Sequence, residues 1–280
     1  VILILLLALI SISLGREFVL VSVYPFYDVV RGIGEGAYST EVLIPPEADY
    51  HLYELSSIEL IKIAKAEIVF ISGVSLGGWE RKVEAVAKAK AVRLAEGMEH
   101  EEEHEEEHLR HDPHLWMSPK RMLSVARNAY SGFLRHDPAR KELYSKNLKK
   151  VLKKLEILHE NYERTLKSCK YRVLPVVHPS LSYLAKDYGL EEIPIGYGSA
   201  HGGISPGNLY RFLKRIKSLG IDYVFDIYRF RTKVAEVLKR DHGFRVYTLN
   251  VKIVPHGNHR DYFSIMEENL EVLREALKCR

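Results

Sequence analysis

Three histidines could do metal chemistry in this chain: His51, His114 and His178. Imidazole nitrogen is a ligand well matched to Zn2+. His114 stands in Asp112-Pro113-His114-Leu115-Trp116, where the proline fixes its own φ and biases Asp112 toward extended backbone. A histidine held by so stiff a turn is a good candidate ligand. His51, in Ala48-Asp49-Tyr50-His51-Leu52-Tyr53-Glu54, follows a strand-like stretch at 41–44 and a Pro-Pro turn. His178, in Val176-Val177-His178-Pro179-Ser180, ends an apolar strand-like run just ahead of a helical pattern. Open α/β sheets place their ligands at strand C-termini. Three neutral nitrogens at about 2.0–2.1 Å from zinc leave one coordination position for a fourth group. Each histidine alone reads as an ordinary loop or core residue; three at comparable junctions point to a shared cation.

A second set of candidate ligands lies at 99–111, a run with four histidines and seven glutamates. His100, His104 and His108 are spaced by four, so a helix would line them on one face, with His111 close behind. His100-Glu101-Glu102-Glu103-His104 matches H-E-x-x-H literally, but that signature needs a packed helix, and no apolar stripe here would hold one. The run reads as a solvated loop or as an auxiliary, low-affinity metal-collecting or sensing loop. Excising it should leave one tight site.

These residues need a scaffold to position them, and apolar patterning supplies one. Strands are expected at 17–23, 66–72, 91–95, 172–177, 193–197, 223–227 and 245–249, with helical segments between them. Ser56-Ser57-Ile58-Glu59 has the form of a capping box, and Ser118-Pro119, Asp137-Pro138 and Ser205-Pro206 each pair an N-cap residue with proline at the first helical position. Leu209, Phe212, Leu213 and Ile216 repeat with helical spacing. Strands alternating with helices imply βαβ units and mostly parallel sheets. One segment breaks the rhythm. From 139 to 168 there is no proline or glycine, and Leu148, Val151, Leu152, Leu155, Leu158, Tyr162 and Leu166 form one stripe, which predicts a single long helix. The expected class is α/β, with two lobes, each a mostly parallel sheet flanked by helices, joined by one rigid helix. The expected divisions are a signal-like apolar segment at 1–15, a first lobe at 16–138, the linking helix at 139–168 and a second lobe at 169–280.

Composition excludes some functions. Apolar residues make up 46% and charged residues 28%, as in ordinary folded proteins. The 41 Lys and Arg are intermixed with 37 Asp and Glu, so the net charge of +4 forms no basic stripe and nucleic acid is not an expected partner. Residues 1–14 are apolar apart from Ser11 and Ser13, too short to span a bilayer but suited to a secretory core, so export is expected. Contact with the membrane would then come only through a partner or an uncleaved N-terminal segment. Cys169 and Cys279 form no Cys-x-x-Cys pair; in an exported protein they could bond to each other or remain thiols. No nucleophile elbow, P-loop or dinucleotide fingerprint occurs, and Gly32-Ile33-Gly34-Glu35-Gly36 reads as a helix stop. No glutamate occupies a credible general-base position beside the three histidines, so an enzyme is not expected.

Together these motifs resemble the zinc/manganese solute-binding proteins of ABC transporters. The resemblance runs from Ser22-Val23-Tyr24-Pro25-Phe26-Tyr27-Asp28-Val29-Val30 through Pro-Pro-x-Ala-Asp-x-His-x-Tyr-Glu at 45–54 and Asp-Pro-His-x-Trp at 112–116. A partial His-x-x-x-x-Tyr-Leu-Ala at 178–185 and Asp261-Tyr262-Phe263-Ser264-Ile265-Met266 complete it. The resemblance implies a monomeric extracytoplasmic receptor that binds its metal in a cleft between the lobes and delivers it to an ABC permease and its ATPase; the three imidazoles favour Zn2+ over Mn2+, which prefers oxygen-rich sites. The resemblance also implies His51 and His114 from the first lobe, His178 from the second, and Asn250 where the family often has an aspartate ligand. Water, His201, His256 or Asp226 are the other candidates for that fourth position. A zinc-dependent hydrolase with an open coordination position, or a metal-storage or adhesin-like surface protein, are the alternatives. Ordinary imidazoles titrate near ~6.5, so zinc affinity is expected to fall in mild acid.

Overall fold

A computed structural model describes residues 17–74, 76–98, 112–196, 205–229 and 232–280. The signal-like segment and the His/Glu run both lie outside the described residues.

The first lobe is a four-stranded parallel sheet. Strand β1 (Phe18–Val23) leads through helix α1 (Tyr27–Gly34) to β2 (Ser39–Ile44), then α2 (Ser57–Lys65), β3 (Ile68–Ile71), α3 (Gly78–Ala87) and β4 (Ala91–Arg93). Their order across the sheet is β2-β1-β3-β4, and every pairing is parallel. Central strands of such sheets are covered on both faces, so β1 and β3 read as continuous apolar runs. Residues Val19 to Val23 and Ile68 to Ile71 are accordingly buried throughout. The Ser56–Glu59 capping box starts α2 as its sequence predicts.

Helix α4 (Pro119–His136) starts at the Ser118 N-cap and ends at Asp137. A short 3-10 turn, Pro138–Arg140, then feeds the long α5 (Lys141–Lys167). Asp137 differs from expectation: its side chain caps nothing, and instead accepts hydrogen bonds from Tyr144 (2.6 Å) and Arg140 (2.6 Å). At 1.5 Å per residue, α5 is about 40 Å long, enough to back both lobes. Its buried stripe is Tyr144, Asn147, Val151, Leu155, Leu158, Tyr162 and Leu166, with Leu148 and Leu152 half-buried on its flank. Asn147 is a polar member of that stripe and donates to the Ile33 (3.1 Å) and Glu35 (2.9 Å) carbonyls at the end of α1. The two helices come close because Gly32 has no side chain: a Cβ there would stand 2.8 Å from Val151.

The second lobe repeats the plan with β5 (Val173–Val176), α6 (Ser182–Tyr188), β6 (Glu191–Pro194), α7 (Pro206–Ser218), β7 (Tyr223–Ile227), α8 (Lys233–His242) and β8 (Arg245–Leu249). The order is β6-β5-β7-β8, again parallel. Strand β6 begins two residues before the expected start at 193 and ends at Pro194. It is an edge strand, so polar Glu191 and Glu192 are tolerated in it, and Pro194 has no N–H with which to extend the ladder. The chain closes with α9 (Tyr262–Ala276), capped by Asp261, which packs back against α5. Tyr162 of α5 donates to the Met266 carbonyl of α9 at 2.7 Å. Cys169 and Cys279 are disulfide-bonded, joining the end of α5 to the C-terminus across a sequence separation of 110.

Candidate metal centre

The first-lobe ligand segment begins where Pro45 and Pro46 end β2. Ala48 N–H turns back to the Pro45 carbonyl (3.0 Å), and the Asp49 carboxylate accepts the His51 N–H (2.9 Å), an Asx turn that sets the histidine backbone. The turn is anchored by Trp79, whose indole N–H donates to the Tyr50 carbonyl at 2.6 Å. His51 Nδ1 lies 3.2 Å from the Leu76 carbonyl. A carbonyl can only accept, so Nδ1 carries the proton and the Nε2 lone pair is left for a metal. Buried Glu80 holds the loop bearing that carbonyl by accepting the Gly73 (3.1 Å) and Leu76 (3.3 Å) N–H groups. Burial raises its carboxyl to about 7 even though those N–H groups pull the other way.

His114 is fixed by its own turn. Asp112 Oδ1 accepts both the His114 backbone N–H (2.8 Å) and ring Nδ1–H (2.8 Å), while Oδ2 accepts the Ser182 hydroxyl from the second lobe. Burial pushes the Asp112 carboxyl up, but the His114 and Ser182 hydrogen bonds outweigh it and hold the group below the usual carboxylate range. A carboxylate on the far nitrogen orients the ring and makes its Nε2 a better donor. Trp116, whose ring centroid is 5.2 Å from that of His114, donates to the Val251 carbonyl across the lobe boundary at 2.7 Å.

His178 follows β5, and the loop after it is held rather than the ring. Glu192 accepts the Ser180 (2.9 Å) and Leu181 (2.8 Å) N–H groups. The three imidazoles meet. Their centroids are 5.5 Å (His51–His114), 5.7 Å (His51–His178) and 5.4 Å (His114–His178) apart. One ligand nitrogen from each lies within 4.8 Å of the other two, and this is the one such His/Cys/Asp/Glu group among the described residues. His114 is buried, His178 half-buried and His51 exposed at its edge. Burial, reinforced by the neighbouring rings, lowers His51 to about 4 and His178 to about 3, so both rings stay neutral well below the pH expected from ordinary imidazole. The expected loss of affinity in mild acid therefore shifts, for these two rings, to lower pH. At His51 the surrounding protein removes water even though the side chain keeps exposed area.

Among the described residues, the side-chain candidates for a fourth ligand are otherwise employed. Asn250 donates to the Val254 carbonyl (2.8 Å) and accepts the Val254 N–H (2.8 Å), so its carboxamide closes its own loop. His256 has both ring nitrogens engaged, with Glu268 (2.9 Å) and the Val254 carbonyl (3.0 Å). Asp226 accepts the Thr232 N–H at 3.2 Å ahead of α8. His201 and the auxiliary set His100, His104, His108 and His111 lie outside the described residues. Sequence reading missed Glu80 and Glu192, whose partners are backbone N–H groups that no residue type marks, and Ser182, whose partner Asp112 is distant in the chain. Only Asp112, two residues before His114, carried a local sign of its role.

A family model described as the periplasmic zinc-uptake complex component A matches residues 19–276. The high-affinity zinc uptake system protein ZnuA of Bacillus subtilis (strain 168) is 28% identical over 277 residues, 92% of this chain and 87% of that protein. The zinc-binding protein AdcA of Streptococcus pyogenes serotype M3 is 26% identical over 93% of this chain, which spans only 56% of that longer relative. A crystal structure of ZnuA superposes with a TM-score of 0.81 at 26% identity, covering 94% of this chain and all of the other.

Proposed function

The chain belongs to the periplasmic zinc-uptake complex component A family, and on that premise we propose that it is an extracytoplasmic receptor that captures Zn2+ with His51, His114 and His178. It acts as a monomer and hands the ion to an ABC permease energised by its ATPase. Zinc is cargo here, not a catalytic cofactor, and the protein is a receptor, not an enzyme. The observation that carries the reading is the convergence of three ligand nitrogens, from both lobes, within 4.8 Å of one another. Two of the rings are kept neutral by burial, and two have their second nitrogen occupied by an acceptor, which favours a nitrogen-ligated cation. An all-imidazole set supports Zn2+ over Mn2+, which prefers oxygen. With Asn250, His256 and Asp226 committed elsewhere, we take water as the fourth ligand.

Metal content by mass spectrometry and zinc titration by calorimetry test this. Wild-type protein should bind one zinc tightly. His51→Ala, His114→Ala and His178→Ala should each weaken that site by about a hundredfold or more, since each removes a share of a binding energy of about 10–16 kcal/mol spread over four ligands. Undiminished tight binding in all three variants would overturn the proposal.

A further inference from the structure

The loop after β8 grips the first lobe beside both of that lobe's histidines. Asn250 closes the loop on Val254, and its own N–H is held by Asn269 of α9 at 2.8 Å. Within the loop, Ile253 is fully buried with φ at 55°, a left-handed conformation that β-branched residues rarely adopt. Such strain persists only where the surroundings over-determine it, and it concentrates where function requires a particular backbone path.

The residues between these two point at the other lobe. The Val251 carbonyl accepts the Trp116 indole N–H at 2.7 Å, two residues beyond His114. The Lys252 carbonyl accepts the Tyr50 hydroxyl at 3.4 Å, and Lys252 Nζ donates to the Ala48 carbonyl at 2.9 Å while lying 5.7 Å from the Tyr50 ring centroid. Ala48 and Tyr50 belong to the turn that presents His51. The Lys252 charge reaches His51, where it disfavours the imidazolium. By the same sign it would oppose a bound cation. Its charge is favoured instead by Asp49, the carboxylate that accepts the His51 N–H, so both charge and geometry tie the ammonium to the 48–50 turn and not to the cation.

We propose that Lys252 is a positioning residue for zinc capture: from the second lobe it holds the 48–50 turn of the first, and so keeps His51 in register with His114 and His178. This rests on the three-histidine zinc site proposed above. The two possible roles of Lys252 predict opposite signs. If it acted by charge alone, removing it would slow zinc release; if it positions His51, removing it speeds release.

The test loads the full chain with one equivalent of Zn2+ and follows release to excess chelator by stopped flow. Lys252→Met should release zinc about tenfold faster, the scale of one lost charge-assisted hydrogen bond. Lys252→Arg, which keeps both charge and donor, should restore most of the wild-type rate. Release by Lys252→Met at the wild-type rate or slower overturns the proposal. Should that variant fail to fold, Tyr50→Phe removes the hydroxyl shared between the Lys252 and Pro46 carbonyls, both at 3.4 Å, and should speed release about twofold; no change there overturns it as well. Failure of the underlying site would show separately, as wild-type protein holding no zinc that His114→Ala loses.

Discussion

The two lobes share one sheet order but prepare their proposed ligands in different ways. In the first lobe the rings themselves are oriented: His51 Nδ1 faces the Leu76 carbonyl at 3.2 Å and His114 Nδ1 faces Asp112 at 2.8 Å. In the second, Glu192 fixes the backbone beyond His178 through the Ser180 and Leu181 N–H groups. The first lobe sets the direction of its lone pairs, whereas the second sets the position of a loop. Ser182 joins the two arrangements, since it starts α6 a few residues after His178 and donates to Asp112. The lesson is that the site is not two half-sites brought together passively. The second lobe contributes one histidine of the proposed site and also helps to aim one of the first lobe's.

The sharpest way to break this comparison is to remove Asp112. Asp112→Ala takes away the acceptor of the His114 ring, the acceptor of its backbone N–H and the partner of Ser182 at once. Zinc affinity should fall about 10- to 100-fold, as for other outer-shell partners of metal-bound histidine, measured by competition with a chromogenic chelator. A loss no larger than that from removing Glu192 would erase the distinction between an oriented ring and a positioned loop.

How much of this could be read in the chain depends on whether the cause is local. The buried central strands were legible as unbroken apolar runs and the α5 stripe as a helical period, because burial acts on neighbouring residues in both. The three histidines were legible because stiff, proline-containing turns surround them. What aims them was not. The Leu76 and Val251 carbonyls are backbone atoms, which any residue could supply, so no residue type marks them. Glu192 sits on an edge strand where a glutamate looks like solvent-facing decoration, and it made the start of β6 hard to place. Asn250 stood at the expected ligand position, but its hydrogen bonds to Val254 depend on how the loop closes, which its identity alone does not reveal. The pairing of Cys169 with Cys279 has no local sign, because their separation of 110 residues is bridged only by the completed fold.

A smaller effect is expected on the second-lobe side. Glu192→Ala leaves the Ser180 and Leu181 N–H groups without this acceptor, and Ser180 is buried. Unfolding of the zinc-free protein in denaturant should become easier by about 1–3 kcal/mol, while zinc affinity falls less than tenfold. A loss of affinity matching that of Asp112→Ala would mean that the His178 loop, too, orients its ring directly.

The subtlest difference lies in protons. Burial lowers His51 to about 4 and His178 to about 3, whereas in the unfolded chain both titrate near ~6.5. Between those limits the unfolded chain binds more protons, so the contribution of these rings to stability is full above about pH 6.5. It is lost as pH falls toward about 4 at His51 and toward about 3 at His178. The same shift governs metal uptake. At pH 5.5 two ordinary imidazoles would surrender about 1.8 protons to zinc between them, but these two are already neutral and should surrender almost none. Calorimetry at that pH in buffers of different ionisation enthalpy counts the protons released. With His114 as the one remaining ring, the total should not exceed about one per zinc. Two or more would show that solvent reaches His51 and His178 far better than their packing implies, and would put the convergence of the two lobes, not just its pH range, in question.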